Sequence, residues 1–386
     1  MEFRTERLIL RPWEEGDAES LYEYAKNPEV GPIAGWPVHT SVKDSLSIIR
    51  NVLSAPETYA VCLKEDNRPI GSVGLIMPMQ SHTRVGEDEI EIGYWIGVDF
   101  WGNGYIPEAV RRMQRHVFED LGCSAMWCGY YDGNSKSKRC QEKCGFVFHH
   151  TEADKPCALM GDVRTEHFTR ITKKDWEQRV QKARNTVIFY VHGKGGNAEE
   201  GEYYRRFFPE CNLYGLDYKT NTPWETREEI RAAVEMLTKK YSDIILVAGS
   251  VGAFFAMNAG IENAIKKAYF ISPIVNMEKL IVDMIGWANT TEEKLEEKEI
   301  IETDFGEPLS WKYLSYVRDN PIHWDVPTEI IYGERDNLTS LETVSAFANQ
   351  HDVRLTIVEN GEHWLHTEEQ IKAIDDWMKR TTNENN

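Results

Sequence analysis

Three side chains in the second half of the chain have the types and the order needed to activate a hydroxyl. Ser250 lies in Ala248-Gly249-Ser250-Val251-Gly252, Asp336 in Gly333-Glu334-Arg335-Asp336, and His363 in Gly361-Glu362-His363. A serine hydroxyl attacks well only when an imidazole takes its proton, and that imidazole needs a carboxylate to hold its tautomer. The small residues around Ser250 suit a sharp strand-to-helix turn. An oxyanion formed beside the serine needs N–H donors, which His192-Gly193-Lys194-Gly195-Gly196 offers at the Lys194 amide and the elbow offers at the Val251 amide. His366 is an alternative base, and Asp217, Asp304 and Asp325 are weaker candidates for the acid.

A different chemistry is written in the first half. Asp99-Phe100-Trp101-Gly102-Asn103-Gly104-Tyr105 follows a strand-like run and opens a helix-like one. Glycines there let backbone amides approach a pyrophosphate, and the helix start adds its partial positive charge. Glu89 and Glu91 share one face of their strand by the period of two, and Glu91 also reads as a plain solvated strand residue. An amine that attacks a thioester must lose a proton, and the departing thiolate must gain one, so a carboxylate and a hydroxyl suffice.

Glu91-Ile92-Gly93-Tyr94-Trp95-Ile96, Pro107-Glu108-Ala109, Asn134-x-x-Ser137 and Glu142-Lys143-Cys144-Gly145-Phe146, with the opening Thr5-Glu6-Arg7-Leu8-Ile9-Leu10-Arg11, resemble the GNAT acetyltransferases, in the branch of ribosomal-protein N-terminal acetyltransferases. The resemblance spans about residues 3–176. It implies acetyl-CoA as donor, held by the backbone of Ile96, Gly97 and Val98, by the amides of Gly102, Asn103, Gly104 and Tyr105, and by Asn134 against the pantetheine arm. It implies Glu91 as base, through water, and Ser137 as proton donor, with Tyr130 or Tyr131 as substitutes. The acceptor is an amine, either a protein N-terminus or a small molecule, with Trp36 and Trp95 on its side. Asp99 stands where many members of the family carry Gln or Arg.

The second half resembles the α/β-hydrolase superfamily over about residues 185–380, through the Ser250, Asp336, His363 order and the elbow. Ala248 departs from the glycine usual at that position. The resemblance implies cleavage of an ester, thioester or amide, and the apolar residues of the 277–318 segment suggest a small acyl or ester substrate.

Elements that would position these groups are legible. Strands are expected near residues 2–12, 59–63, 70–76, 90–98 and 125–130, with helices after Tyr105 and over Ser135–Cys144, the latter stopped by Gly145. From Thr186 the pattern alternates between strand and helix: Val187–Val191, Leu213–Leu216, a helix over Thr226–Lys240, Ile244–Val247 and Ala253–Ala259, with later strands at Glu329–Tyr332 and Arg354–Val358. Residues 277–318 break that rhythm and read as a helical cap whose Met277, Leu280, Met284, Trp287, Trp311 and Tyr313 either line a substrate site or pack internally. The polar stretch 172–185 reads as the boundary.

The 386 residues fit two cores, and 41% hydrophobic with 11% aromatic residues describes a chain able to bury them. A net charge of -19 disfavours a general nucleic-acid face. Seven cysteines form no metal or disulfide spacing, so no metal is expected and a reducing compartment is. No apolar run approaches a membrane span, and the opening Met-Glu-Phe-Arg enters a strand without a leader pattern. The expectation is a soluble cytoplasmic α/β protein of two domains: a GNAT mixed-sheet domain over 1–176, then an α/β-hydrolase domain over 177–386 with a mostly parallel sheet and a cap. Both sites would work, making it bifunctional. Two alternatives stay open: one domain is a degenerate binding module, or the chain is a non-enzymatic acyl-CoA sensor. Oligomeric state is not readable.

Overall fold

The opening apolar run divides into two strands, β1 (Phe3–Arg4) and β2 (Leu8–Arg11), because a turn closes between them where the Thr5 amide donates to the Leu8 carbonyl at 3.0 Å. The computed structural model of the chain describes residues 1–383 and divides it into two units, Met1–Arg179 and Val180–Asn386.

In the first unit, β1 and β2 are followed by β3 (Thr58–Leu63), β4 (Pro69–Ile76), β5 (Glu89–Ile96), β6 (Ala125–Tyr131), β7 (Val147–Cys157) and β8 (Asp162–Thr172), which make one sheet in the order β1-β2-β3-β4-β5-β6-β8-β7. Neighbours run antiparallel except β5 and β6, which are parallel. Parallel neighbours need a crossover, and α4 (Tyr105–Arg115) supplies it, after α1 (Ala18–Ala25), α2 (Gly31–Ala34) and α3 (Val42–Ile48). The last of these continues as a wider π turn through Leu53. Helix α5 (Ser135–Lys143) precedes the long β7–β8 hairpin.

Stretch 172–185, expected as a polar separator, is largely a helix, α6 (Lys173–Arg184), and the division between the units falls within it. Its Trp176 and Val180 are buried one turn apart while the rest, apart from Ala183, is polar. Two apolar positions at i and i+4 are enough to seat one face.

The second unit holds β9 (Thr186–Val191), β10 (Asn212–Leu216), β11 (Asp243–Gly249), β12 (Ile265–Ile271), β15 (Thr328–Gly333) and β16 (Arg354–Val358), all parallel, in the order β10-β9-β11-β12-β15-β16. Its central strands are apolar on both faces, as a sheet covered twice requires. Val187, Phe189 and Val191 of β9 enter one core with Leu246, Phe270 and Ile330, while Ile188 and Tyr190 enter the other with Val247, Tyr269 and Ile331. The first core takes up α8 (Pro223–Thr238) and α9 (Ser250–Asn258), and the second takes up α7 (Glu202–Arg205) and α14 (Glu368–Asn383). Between β12 and β15 lie α10 (Met277–Trp287), α11 (Glu292–Lys298), the short hairpin β13 (Ile300–Ile301) and β14 (Leu309–Ser310), and α12 (Trp311–Asp319); α13 (Leu341–Gln350) links β15 to β16. Strand β12 is a finding the sequence pattern hid, because Lys266 and Lys267 interrupt its apolar run.

A buried ion pair pins the start of the first unit. Arg11 donates from Nη1 to Asp17 Oδ2 at 2.7 Å and from Nη2 to Oδ1 at 2.9 Å, with both side chains about nine-tenths buried. Asp17 Oδ2 also accepts from the Glu14 amide at 2.9 Å. Removing one member strands the other's charge away from water. Asp17→Ala should therefore destabilise the first unit by about 3–5 kcal/mol, read as a lowered urea midpoint by intrinsic fluorescence.

Candidate active sites

In the first unit, register pairs β5 with β6 only at Glu89↔Ala125, Ile90↔Met126 and Glu91↔Trp127. Both strands continue, to Ile96 and Tyr131, without pairing to each other. The parted strands leave a slot walled by backbone. Its far end meets the glycine loop: Gly102 and Gly104 hold φ of 80° and 78°, which side chains other than glycine rarely adopt. A Cβ at Gly102 would meet nothing within 4 Å, so the loop faces open space. Gly104 caps α4, and Arg7 ties the loop down by accepting none and donating from Nη1 to the Asn103 carbonyl at 2.9 Å while pairing with Glu108 at 2.7 Å. Slot, glycine loop and helix start suit an extended acyl arm that ends in a pyrophosphate.

The expected holding residues are placed unevenly. The Gly97 amide already donates to the Ile70 carbonyl at 2.9 Å, the Ile96 carbonyl accepts the Trp101 indole at 3.2 Å, and the Val98 carbonyl accepts the Trp101 amide at 3.0 Å. Tyr105 begins α4 beneath the Arg7 guanidinium, 4.6 Å from the ring centroid. Asn134 caps α5, its Oδ1 accepting from the Ser137 amide at 3.1 Å. Exposed Asp99 lies in the short turn before the loop.

Ser137 Oγ stands 3.1 Å from the Tyr94 hydroxyl and accepts from Gln141 Nε2 at 3.1 Å. Tyr94 was not among the hydroxyls expected there. Burial pushes its pKa well up, which keeps it protonated. Its position opposite Glu91 on the strand is the signal that would have found it, since i and i+3 fall on opposite faces. Tyr130 packs on His167 at 5.0 Å, and the Tyr131 hydroxyl reaches Cys157 at 3.7 Å. Trp95 stacks with Trp13 at 6.2 Å and meets Trp36 edge-on at 5.8 Å.

Glu91 is buried, not solvated. Its Oε2 accepts from Ser81 Oγ and from the His82 amide, both at 2.7 Å, and Oε1 lies 2.9 Å from His82 Nδ1. Burial alone would raise its pKa, but the His82 bond and charge and the Ser81 hydroxyl carry it below the usual carboxylate range. Glu89 diverges from it, bonding Trp127 Nε1 at 2.6 Å and pairing with Arg170.

Residues 7–147 match the acetyltransferase (GNAT) domain family. They form a GNAT acetyltransferase domain. Among curated relatives, the uncharacterized N-acetyltransferase YoaA of Bacillus subtilis is 28% identical over 147 residues, which is 37% of this chain and 80% of that protein. The uncharacterized N-acetyltransferase p20 of Bacillus licheniformis is 34% identical over 122 residues, 30% of this chain and 66% of that one. A solved GNAT acetyltransferase from Bacillus anthracis is 22% identical, covering 45% of this chain and 99% of its own with a TM-score of 0.39. The GNAT family uses acetyl-CoA as donor to an amine, and N-acetyltransferase activity is assigned to this domain.

The second unit gathers its three candidates at the carboxyl ends of the strands. Ser250 sits at the junction of β11 and α9 with φ of 49°. Its Oγ is 2.8 Å from His363 Nε2, and His363 Nδ1 is 2.6 Å from Asp336 Oδ2. The Asp336 side chain is fully buried, and its other oxygen accepts from the amides of Leu338 at 2.8 Å and Thr339 at 2.9 Å. The Arg335 amide donates to the Gly361 carbonyl at 2.7 Å, lacing the acid's loop to the base's loop. The 192–196 loop overlies the serine: a Cβ at Gly193 would lie 3.2 Å from that of Ser250. Lys194 pairs through its ammonium with Glu307, leaving its backbone to the loop, and Val251 lies in the first turn of α9.

His366 instead bonds the Trp364 carbonyl at 2.6 Å, and Asp217 pairs with Lys219. His192 stacks on Tyr218 at 4.1 Å with its Nε2 buried, 3.9 Å from Asp217 Oδ1 and without a hydrogen-bond partner among the described residues. Of the cap residues, Met277, Leu280, Met284, Trp311 and Tyr313 pack on the unit's own core, whereas Trp287 is half exposed beside Phe305. Among the described residues no cluster of three metal-ligating side chains occurs, and no helix is long and apolar enough to cross a membrane.

A Cβ at Gly252 would fall 2.2 Å from the His192 carbonyl oxygen and 2.7 Å from that of Val191. These are backbone atoms that cannot swing aside. Gly252→Ala should cost roughly 1–3 kcal/mol and displace the elbow, read by urea denaturation of the full chain alongside serine labelling.

Proposed function

We propose that the chain carries two enzymes in tandem, an acetyl-CoA-dependent N-acetyltransferase and a serine hydrolase of the α/β-hydrolase type. For the transferase, the parted strands support a reading in which the backbone around Val98 and the amides of Gly102, Asn103, Gly104 and Tyr105 hold the donor. Asn134 faces the arm from the α5 start. Tyr94, with Ser137 at hydrogen-bond distance, supplies a proton to the departing sulfur, and the Trp36 and Trp95 wall bounds the amine's approach.

For the hydrolase, one observation carries the reading: Asp336, His363 and Ser250 are joined in line at 2.6 and 2.8 Å with the serine in a positive-φ elbow. Asp336 holds the Nδ1–H tautomer of His363. His363 Nε2 takes the Ser250 proton as Oγ attacks an acyl carbon, and returns it to the leaving group. Lys194 and Val251 amides face the oxyanion. Ala248, fully buried and paired in register with Val191 and Phe270, fills the usual glycine position without blocking the turn. The substrate class is a small acyl compound, an ester, thioester or amide.

A fluorophosphonate probe should label the intact chain and leave Ser250→Ala unlabelled. On short-chain p-nitrophenyl esters, Ser250→Ala and His363→Ala should lose roughly four to six orders of magnitude in kcat, and Asp336→Asn about four. An unlabelled wild-type chain with no esterase activity would reduce the second unit to a binding domain. Calorimetric titration with acetyl-CoA tests the first unit separately, and Gly104→Val should abolish that binding by forcing a side chain into φ of 78°.

A further inference from the structure

A single face of the first sheet gathers an acid–imidazole pair where the strands part. Side chains two apart share a face, so Glu91, Gly93 and Trp95 of β5 look the same way. Paired residues share it too, which adds Trp127 and then Gly129 from β6, and Glu166 and Phe168 from β8. Tyr94 and Ser137 stand on the other face. The loop between β4 and β5 folds over the first face and brings His82 to Glu91.

Its position is fixed from several directions. The His82 amide and ring both bind Glu91, and the Lys155 ammonium bonds the His82 carbonyl. Lys155 in turn pairs with Glu166 at 2.8 Å and Glu152 at 3.0 Å. Next along the loop, Thr83 Oγ1 donates to Glu152 at 2.7 Å and lies 3.2 Å from His150 Nε2. The ring nevertheless keeps 56% of its side-chain surface exposed, against 3% for Glu91. Three donors already occupy the Glu91 oxygens, whereas His82 Nε2 has no partner among the described residues.

We infer that His82 is the catalytic base of acetyl transfer and that Glu91 is its positioning residue. This rests on the reading of the first unit as an acetyl-CoA-dependent transferase. Glu91 accepts the Nδ1–H, so the neutral ring presents the Nε2 lone pair to an incoming amine. As the amine nitrogen bonds to the acetyl carbon and the carbon–sulfur bond breaks, His82 Nε2 takes the proton released by nitrogen, and the Tyr94 hydroxyl donates one to sulfur from the opposite face. The arrangement repeats, with a glutamate, the carboxylate–imidazole logic of Asp336 and His363.

The bond to Glu91 raises the pKa of His82 against the effect of burial; Glu91 and Glu166 charges also raise it, and Lys155 lowers it. A base works only unprotonated, so transfer should rise with pH through this raised value. Removing the carboxylate should let the acidic limb slide to lower pH.

The test uses the full chain, with free CoA release followed from acetyl-CoA and Ala-, Ser- and Met-initiated tripeptides or ethanolamine. His82→Gln should lower kcat/KM by roughly 10²–10⁴-fold, leave the calorimetric acetyl-CoA affinity unchanged and abolish the acidic limb. Glu91→Gln should shift that limb downward. Independently of any acceptor, ¹⁵N NMR of the neutral His82 ring should find its proton on Nδ1. Wild-type kcat/KM with an unchanged limb in His82→Gln, or a neutral ring protonated on Nε2, overturns the assignment. A wild-type chain that binds acetyl-CoA and acetylates none of these amines counts against the transferase reading instead, and the tautomer still decides whether Glu91 poises His82.

Discussion

Parallel strands constrain both sites. A parallel pair is closed only by a crossover helix, and that helix must begin where the first strand ends, pointing its unpaired first-turn amides back over the strand's carboxyl end. In the first unit β5 and β6 are the parallel pair within an otherwise antiparallel sheet, and α4 begins at Tyr105, capped by Gly104, after the loop of residues 97–104 that follows β5. In the second unit β11 runs straight into α9 at Ser250, with no intervening loop. The same constraint gives an open glycine loop in one case and a tight strand-to-helix turn in the other. The difference is the length of chain between strand and helix.

Both sites pair a buried carboxylate with an imidazole, yet the surroundings set different tasks. Asp336 is oriented by two backbone amides and touches the histidine through its second oxygen, leaving His363 to face a side chain of the same protein. Glu91 is bound by a hydroxyl, an amide and the ring, and the ring faces outward. A carboxylate so held keeps its charge, and a charged carboxylate fixes which ring nitrogen bears the proton.

Much of this was legible in the sequence wherever chemistry and backbone geometry demand the same residue. Ser250, Asp336 and His363 could be read because their order follows the strand ends, and Gly102 and Gly104 because no other residue type takes their φ without strain. What was not legible depends on long-range placement. His82 lies in a polar loop nine residues before Glu91, and nothing in Gln80-Ser81-His82-Thr83 signals that the loop folds back over the sheet. Tyr94 looked like a strand residue until α5 delivered Ser137 to it. Strand β12 and helix α6 were obscured for a local reason: charged residues interrupt the apolar period in one, and two buried residues alone carry it in the other.

The elbow shows how such a site persists. A serine at positive φ costs of order 1–3 kcal/mol, and it survives only if neighbours over-determine it. Here the Ile274 amide donates to the Ser250 carbonyl at 3.1 Å, holding the turn from the segment that follows β12. Gly252 lets α9 press against the end of β9, and the helix behind it, Gly252–Asn258, is buried along its whole length in the core. A buried helix has no solvated face toward which it can rotate to relax the turn. The strain is therefore carried by the packing of α9 as a body, and the Ser250 hydroxyl stays aimed at His363.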